Sequence, residues 1–153
     1  MKTNAMRILD QRKIEYKIHT YENAISGIEV ADTLNEDYES VFKTLVTISS
    51  SKTNYVFVVP VNKELDLKKA AKVVNEKSIE MLKSKDLLPL TGYIHGGCSP
   101  IGMKKQFKTI IDISSKDKDK IFISGGKIGC QIEISPIELK KVINYELEDI
   151  TKD

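Results

Sequence analysis

The sequence is poor in the residues that build metal centres and disulfide frameworks. Its 153 residues include two cysteines and two histidines. Cys98 and Cys130 form no C-x-x-C pair, and His19 and His95 stand at no spacing that indicates a zinc or haem site. We therefore expect reduced thiols, no metal site and no cofactor.

Long apolar runs are also missing. No stretch approaches the roughly eighteen apolar residues of a membrane-spanning helix, and residues 1–5 lack the apolar segment of a signal peptide. The sequence is 41% hydrophobic and 30% charged, which is typical of a globular protein. These features predict a cytoplasmic protein with no membrane partner, folded as one domain over residues 1–153.

The third absence is a standard nucleotide-binding motif. A P-loop in the glycine-rich segment near residue 125 would need glycine at position 121 and serine or threonine at position 128, where the chain has Ile121 and Ile128. No G-x-G-x-x-G occurs. The sequence therefore argues against a kinase, a simple NTPase or a Rossmann dehydrogenase.

Two glycine-rich segments are the most informative feature that is present. They are residues 96–102 (GGCSPIG) and residues 124–129 (SGGKIG), and each follows an apolar run. Glycine suits positions with positive φ or close approach to a ligand, and consecutive backbone N–H groups in such turns can bind anions. The pair predicts a pocket walled partly by backbone, with two tight hairpin connections as the alternative.

Positive charge is concentrated in the middle of the chain. The net charge is +2, but ten lysines and five acidic residues lie between residues 62 and 108, so this part carries +5 and the remainder −3. A basic middle suits a polyanion such as RNA, although a solvated, lysine-rich helix face would give the same pattern.

Hydrophobic periodicity predicts an α+β domain with interleaved helices and strands. Predicted helices cover residues 3–12, residues 27–34, a segment beginning at Asp66, a shorter one beginning at Ser78, and residues 135–144. Predicted strands cover residues 15–20, 41–49, 55–61, 93–94, 109–113, 120–124 and 128–134, with an antiparallel hairpin across residues 51–54. Thr3, Asp66 and Ser135 are the expected N-caps. We expect a mixed, mostly antiparallel sheet curled toward a barrel, with the helices outside.

Lys43 stands in an apolar strand. Strand alternation puts it on one face with Val41 and Leu45, while Phe42 and Thr44 lie on the other. Because both faces are mainly apolar, we expect the lysine to be partly buried. It either extends its ammonium to solvent or directs it into a cleft toward a negatively charged substrate.

The remaining candidates for chemistry are weaker. His95 precedes Ser99 by four residues, but no carboxylate is placed to orient it, so a surface position at a strand end is expected. Cys98 has no basic partner in sequence and is expected to be a small packed residue. Asp112 and Glu133 are expected to be exposed edge charges. If the protein is an enzyme, its substrate must already be reactive or bring its own nucleophile.

The chain resembles the YbaK/EbsC family of aminoacyl-tRNA deacylases. The resemblance covers nearly the whole chain, in the order of the family. The segments that carry it are residues 18–22 (IHTYE), 42–45 (FKTL), 65–69 (LDLKK), 91–102 (TGYIHGGCSPIG), 104–105 (KK), 109–112 (TIID) and 124–133 (SGGKIGCQIE). It implies the fold of prolyl-tRNA synthetase editing domains and an editing function in translation, because a pocket shaped for proline cannot strongly reject a residue of similar size.

The resemblance also implies a site. Lys43 would be the residue most tied to activity, with backbone N–H groups near Gly97 as oxyanion donors. The positions expected to complete the substrate pocket are Tyr21, Thr44, Gly96, Gly97, Ser99 and Ser124. Cysteine-specific members are thought to use the substrate's own thiol as nucleophile. The implied partners are the 3′ end of aminoacyl-tRNA and prolyl-tRNA synthetase, and not DNA.

Two positions depart from the pattern of the cysteine-specific relatives. Ser26 follows a shorter loop and falls where they carry a phenylalanine, and Gln131 replaces an aspartate. Both are expected in the substrate pocket. A deacylase for alanine or another small residue is therefore the first alternative to one that removes cysteine from Cys-tRNA(Pro). A non-catalytic module that binds tRNA or a synthetase is the second.

Overall fold

The computed structural model describes residues 2–24 and 26–153. The α-helices are α1 (Asn4–Gln11), α2 (Gly27–Leu34), α3 (Leu67–Val73), α4 (Ser84–Thr91) and α5 (Pro136–Lys140). The strands are β1 (Lys17–Thr20), β2 (Phe42–Ser49), β3 (Asn54–Pro60), β4 (Ile79–Met81), β5 (Lys108–Asp112), β6 (Ile121–Ser124), β7 (Cys130–Ile134) and β8 (Tyr145–Glu148). Short 3₁₀ turns cover Tyr38–Ser40 and Ile113–Ser115. Among the described residues, no helix has the length and apolar character needed to cross a membrane.

The strands form two sheets that meet at one point. The larger sheet has the order β4-β2-β3-β5-β8 and the smaller one β1-β7-β6. Pairing is antiparallel except for β3 with β5 and β5 with β8, which are parallel. A parallel bridge between Val41 and Phe122 joins the sheets where one curled sheet was predicted. The predicted α+β class and the hairpin of β2 with β3 are confirmed.

The larger sheet is buried on both faces. One face packs with α1 and the smaller sheet in a core that includes Leu9, Phe42 and Ile132. The other face packs against α3, where Phe57 and Ala70 belong to a second cluster. Burial on both sides explains why β3 is an unbroken apolar run rather than an alternating one.

The predicted helix N-caps are confirmed. The Thr3 side chain accepts a hydrogen bond from Met6 N at 3.3 Å, and Ser135 Oγ accepts one from Glu138 N at 3.1 Å. Asp66 Oδ1 accepts from two backbone amides at 2.9 and 3.1 Å. A side-chain acceptor satisfies amides that have no partner inside the helix, so these residues set the start of each helix.

Three predicted elements are wrong. The helix expected from Ser78 is instead strand β4, which pairs with β2 and buries Ile79, and the helix begins only at Ser84. The strand expected at residues 93–94 is irregular, because Gly92, at φ 87°, ends α4, and the Tyr93 hydroxyl donates to Ile101 O at 2.6 Å. The last helix ends at Lys140, and the unpredicted β8 follows it.

Asp112 and Glu133 are not the exposed edge charges that were expected. Asp112 is 4% exposed, and its carboxylate accepts hydrogen bonds from Ser114 N and Ile150 N, both at 3.2 Å. Glu133 lies 2.8 Å from His19 Nε2 and 3.6 Å from Lys120 Nζ. Both carboxylates therefore hold neighbouring segments together.

Candidate functional site

A cavity of about 660 Å³ opens where the two sheets diverge. A parallel bridge pairs Val41, just before β2, with Phe122 of β6. Two residues further along each chain segment, Lys43 of β2 is therefore beside Ser124 of β6. Ser124 in turn pairs with Gln131 of β7. The volume lies within the range of roughly 300–1,000 Å³ that is typical of small-molecule sites.

Seven of the nine residues expected at the site line this cavity. They are Tyr21, Ser26, Lys43, Thr44, Gly96, Ser124 and Gln131. Gly97 and Ser99 are not among its lining residues. Ser99 is fully buried, and its hydroxyl accepts from Ile101 N at 3.2 Å, so it shapes the first glycine turn.

Lys43 lies partly buried at this cavity. Desolvation of its ammonium lowers the pKa of Lys43, and the nearby Glu64 carboxylate partly opposes that shift. The cavity thus contains a positive charge that is less well solvated than a surface lysine. Because solvent screening is weaker there, such a charge interacts strongly with a negative group on a ligand.

Two oxygen atoms of lining residues are buried without a hydrogen-bond partner among the residues described. They are Thr44 Oγ1 and Gln131 Oε1. A buried polar atom without a partner is costly and needs an explanation. Since both residues line the same cavity, these two oxygens are candidates for hydrogen bonds to water or to a polar ligand.

The two glycine-rich segments pack against each other at the cavity. A Cβ atom on Gly97 would lie 3.0 Å from backbone atoms of Lys127 and Ile128, and one on Gly96 would lie 3.5 Å from the Ile128 side chain. Gly129, at φ 88°, accepts a hydrogen bond from Tyr21 N at 3.0 Å and so brings the end of β1 to the same place. The prediction that both segments wall one pocket therefore agrees with their packing.

The close contact at Gly97 yields a testable prediction. Gly97→Ala is expected to push the two glycine segments apart, because the new methyl group meets backbone rather than a flexible side chain. We expect a loss of about 1–3 kcal/mol in the free energy of unfolding, measured by urea denaturation.

Gly92→Ala is the comparison for a glycine that does not contact backbone. Its Cβ would first meet the movable Lys104 side chain at 3.4 Å, so the cost of this substitution comes from the φ of 87° at Gly92. If Gly97→Ala and Gly92→Ala lowered the free energy of unfolding equally, and Gly97→Ala did not change binding of a ligand in the cavity, the packing of the two glycine segments would have no role in shaping the cavity.

Gly97 is not an available oxyanion donor. Its N–H donates to Ile94 O at 3.0 Å within the first glycine segment. The Gly97 amide itself is thus engaged in the turn, and oxyanion stabilisation by backbone N–H groups near Gly97 stays a prediction. Lys43 remains the charged donor among the predicted residues at the cavity.

His95 and Cys98 also line the cavity. His95 is exposed, as expected, but it lies in a turn rather than at a strand end. Cys98 is packed in the core, and burial raises the pKa of its thiol to about 12. A thiol that stays protonated at neutral pH is a poor nucleophile.

Sequence reasoning did not anticipate the apolar wall opposite Lys43. Residues from α2, β4, the segment that follows β4 and α4 form it, namely Val30, Met81, Leu82 and Leu87. Met81 is 44% exposed. The signal that could have found this wall was weak, because α4 was not predicted and β4 was expected to be helical.

Comparisons with known proteins establish the family of the chain. Residues 22–142 match the family described as the aminoacyl-tRNA editing domain. An Enterococcus faecalis (strain ATCC 700802 / V583) protein, provisionally named Cys-tRNA(Pro)/Cys-tRNA(Cys) deacylase EbsC, is 45% identical over 153 residues, covering 98% of this chain and 93% of that protein. A crystal structure provisionally described as a trans-editing enzyme for prolyl tRNA synthetase superposes with TM-score 0.86 at 20% identity, covering 100% of this chain and 99% of that one. A hypothetical protein of known structure gives TM-score 0.89 at 19% identity over 98% of this chain and all of its own, so both structures share the fold. This chain therefore belongs to the aminoacyl-tRNA editing domain family.

Proposed function

We propose that the protein is a trans-editing deacylase that removes cysteine from mischarged Cys-tRNA(Pro). The observation that carries the proposal is a partly buried lysine at a cavity with unpartnered oxygens, in a chain of the editing family. The name of the E. faecalis relative supports the choice of substrate. The proposal includes a cytoplasmic location, because such a substrate is found where translation takes place.

In the proposed mechanism, Lys43 binds and stabilises negative charge on the substrate. An aminoacyl ester is already activated, so cleavage requires positioning and stabilisation of the oxyanion more than a strong protein base. The lowered pKa of Lys43 reflects desolvation, which is also the condition under which its charge acts most strongly on a bound ester. Thr44 also lines the cavity and has an unpartnered Oγ1, but strand alternation places it on the face of β2 opposite Lys43.

The substrate thiol is the proposed nucleophile. Its sulfur attacks the carbonyl carbon of the same cysteinyl group, the ester C–O bond breaks, and the terminal ribose hydroxyl leaves with the proton that the thiol gives up. The first product is a cyclic thioester, which water opens to free cysteine. A nucleophile tethered to its target has a high effective concentration.

The experiment that tests the proposal is a panel of tRNAs charged with cysteine, alanine, serine and proline. Loss of each ester is followed with the protein present and absent. We expect rapid loss of cysteine and slow loss of the other three. Comparable loss of alanine would favour a deacylase for small residues that uses water. Binding without any ester loss would favour a non-catalytic module that docks on tRNA or a synthetase.

We expect the free protein to bind tRNA weakly and with strong salt dependence. Lys83 and Lys85 are exposed and flank Ser84, which lines the cavity, so they can neutralise phosphates at its mouth. Phosphate contacts carry no base specificity, so selection among tRNAs would fall to the amino-acid pocket or to a bound prolyl-tRNA synthetase.

A salt titration checks this expectation. Changing both Lys83 and Lys85 to alanine should lower the slope of log K against log salt by about one to two. The control changes Lys72 and Lys116, which are exposed lysines away from the cavity-lining segments. Tight binding that hardly responds to added salt would contradict this part of the proposal.

A further inference from the structure

No described residue that lines the cavity carries a negative charge. Lys43 is the one lysine among them, and none is aspartate or glutamate. An aminoacyl ester carries an α-amino group, which is cationic below its pKa. A cation placed beside an ammonium without a counter-charge is repelled. The cavity must therefore recognise that amino group with neutral acceptors.

Gln131 has the geometry of such an acceptor. It lies in β7 between Ser124 of β6 and His19 of β1, so its side chain is on the face of the smaller sheet that carries those two residues. It is 7% exposed and lines the cavity, and its Oε1 is buried without a hydrogen-bond partner among the described residues. Strand pairing fixes the backbone of Gln131 on both sides, and a turn of its side chain toward the cavity presents an amide oxygen that accepts a hydrogen bond without adding charge.

We propose that Gln131 accepts a hydrogen bond from the α-amino group of the bound ester, and that the unprotonated amine is the form the cavity selects. This inference rests on the proposed function, because it assigns the amino-group subsite of that same cavity. A neutral amine can donate to Oε1 and is not repelled by the Lys43 ammonium. Gln131 thus sets specificity for α-amino esters and makes binding depend on the protonation of the substrate.

The other titratable groups near this subsite do not supply the missing negative charge. Tyr21, His95 and Cys98 line the cavity, and the thiol of Cys98 has its pKa raised to about 12. His19 faces Gln131 from β1, and its Nε2 lies 2.8 Å from Glu133 Oε1. Glu133 also lies beside Lys120, so its charge is compensated outside the cavity. Glu64 acts on Lys43 and is not a lining residue.

A pair of unreactive esters tests the inference on the unmodified protein. S-methylcysteinyl-tRNA and 3-(methylthio)propionyl-tRNA share the thioether and the ester, but the second lacks the α-amino group. Neither has a thiol that titrates, so the ratio of their association constants, measured with the esters intact, isolates the amino group. We expect this ratio to rise with pH through the substrate amine pKa, near or below the usual range of about 7.7–8.0. A ratio that is flat or falls with pH would overturn the selection of the neutral amine.

Two variants then assign the effect to Gln131. Gln131→Met keeps the length of the side chain but removes the acceptor, and the preference for the amino-bearing ester should fall about tenfold. Gln131→Glu adds a carboxylate, which should favour the ammonium and abolish or reverse the rise of the ratio with pH. Gln11→Met, on the exposed end of α1, is the control and should change neither ratio.

The outcomes separate this inference from the proposed function. If the unmodified protein does not cleave cysteinyl-tRNA, the proposed function fails. If it cleaves cysteinyl-tRNA, and Gln131→Met retains the full binding preference for the amino-bearing ester and its pH dependence, only the role of Gln131 fails. Circular dichroism and thermal unfolding establish that each variant is folded, and the pH-dependent ratio of the unmodified protein remains decisive even if one variant is not.

Discussion

Replacing Lys43 by alanine or methionine is expected to reduce deacylation of Cys-tRNA(Pro) to near the uncatalysed rate. Removing one donor that stabilises an oxyanion typically costs about 10²–10³-fold in kcat. Among the described residues that line the cavity, Lys43 is the one lysine, so no other lining lysine can replace its charge. Single-turnover loss of the ester, measured at saturating protein, separates this effect from weaker tRNA binding.

The same change should not destabilise the fold. Desolvation lowers the pKa of Lys43, which means that its charged form is better solvated in the unfolded chain than in the folded protein. The folded protein therefore binds its proton less tightly, and stability from this group rises with pH between the lowered pKa and the ordinary value of 10.5. Lys43→Met removes the desolvation cost, so the midpoint of thermal unfolding should stay constant or rise at neutral pH.

Two further variants serve as controls for the Lys43 prediction. Lys63→Ala, at an exposed lysine beyond β3, should retain full activity and stability. Lys43→Arg keeps the charge but changes its shape and reach, so partial activity is expected. Full activity of Lys43→Met would refute the assignment, and cooperative unfolding lost in that variant would make the lysine structural.

The sequence predicted the segments whose signals are local. Thr3, Asp66 and Ser135 identified helix starts because an N-cap depends on a side chain and an amide two or three residues away. The hairpin of β2 and β3 was predicted because β-branched runs flank a short polar turn. Lys43 was predicted to be partly buried because both faces of its strand are apolar.

The segments that were wrong depend on partners distant in sequence. Ile79 is in a strand because β2 offers a free edge, and Ser78 O accepts from Ser50 N at 3.1 Å. β8 was missed because its pairing with β5 is parallel and its apolar residues alternate over only four positions. The contact between Gly97 and Ile128 likewise results from tertiary packing, although the two glycine segments were recognisable separately.

The second large expected effect concerns which molecule supplies the nucleophile. We expect Cys-tRNA(Pro) to be deacylated at least about 10²-fold faster than Ser-tRNA(Pro), because a hydroxyl at neutral pH is a far poorer nucleophile than a thiol. The two substrates differ by one atom, so we expect the cavity of about 660 Å³ to admit both and the difference to arise in the chemical step. Rapid-quench measurements of ester loss compare the two directly.

Removing the thiol of Cys98 or the imidazole of His95 from the cavity should leave this preference intact. Cys98→Ala should remain active because burial raises the pKa of that thiol to about 12 and keeps it protonated. His95→Ala should also remain active, because none of the described residues that line the cavity is a carboxylate to orient the imidazole. Each variant is assayed on both esters, and loss of activity on Cys-tRNA(Pro) in either would assign a direct role to that side chain.

Blocking the substrate thiol completes the test. S-methylcysteinyl-tRNA keeps the amino group and the ester but cannot attack its own carbonyl, so it should resist the enzyme as Ser-tRNA(Pro) does. Trapping of the cyclic thioester before water opens it would support the intramolecular step. Equal rates on S-methylcysteinyl, alanyl and cysteinyl esters would instead require water as nucleophile. In that case Lys43 would stabilise the same oxyanion, and the selectivity of the enzyme would have to come from the fit of the side chain in the cavity.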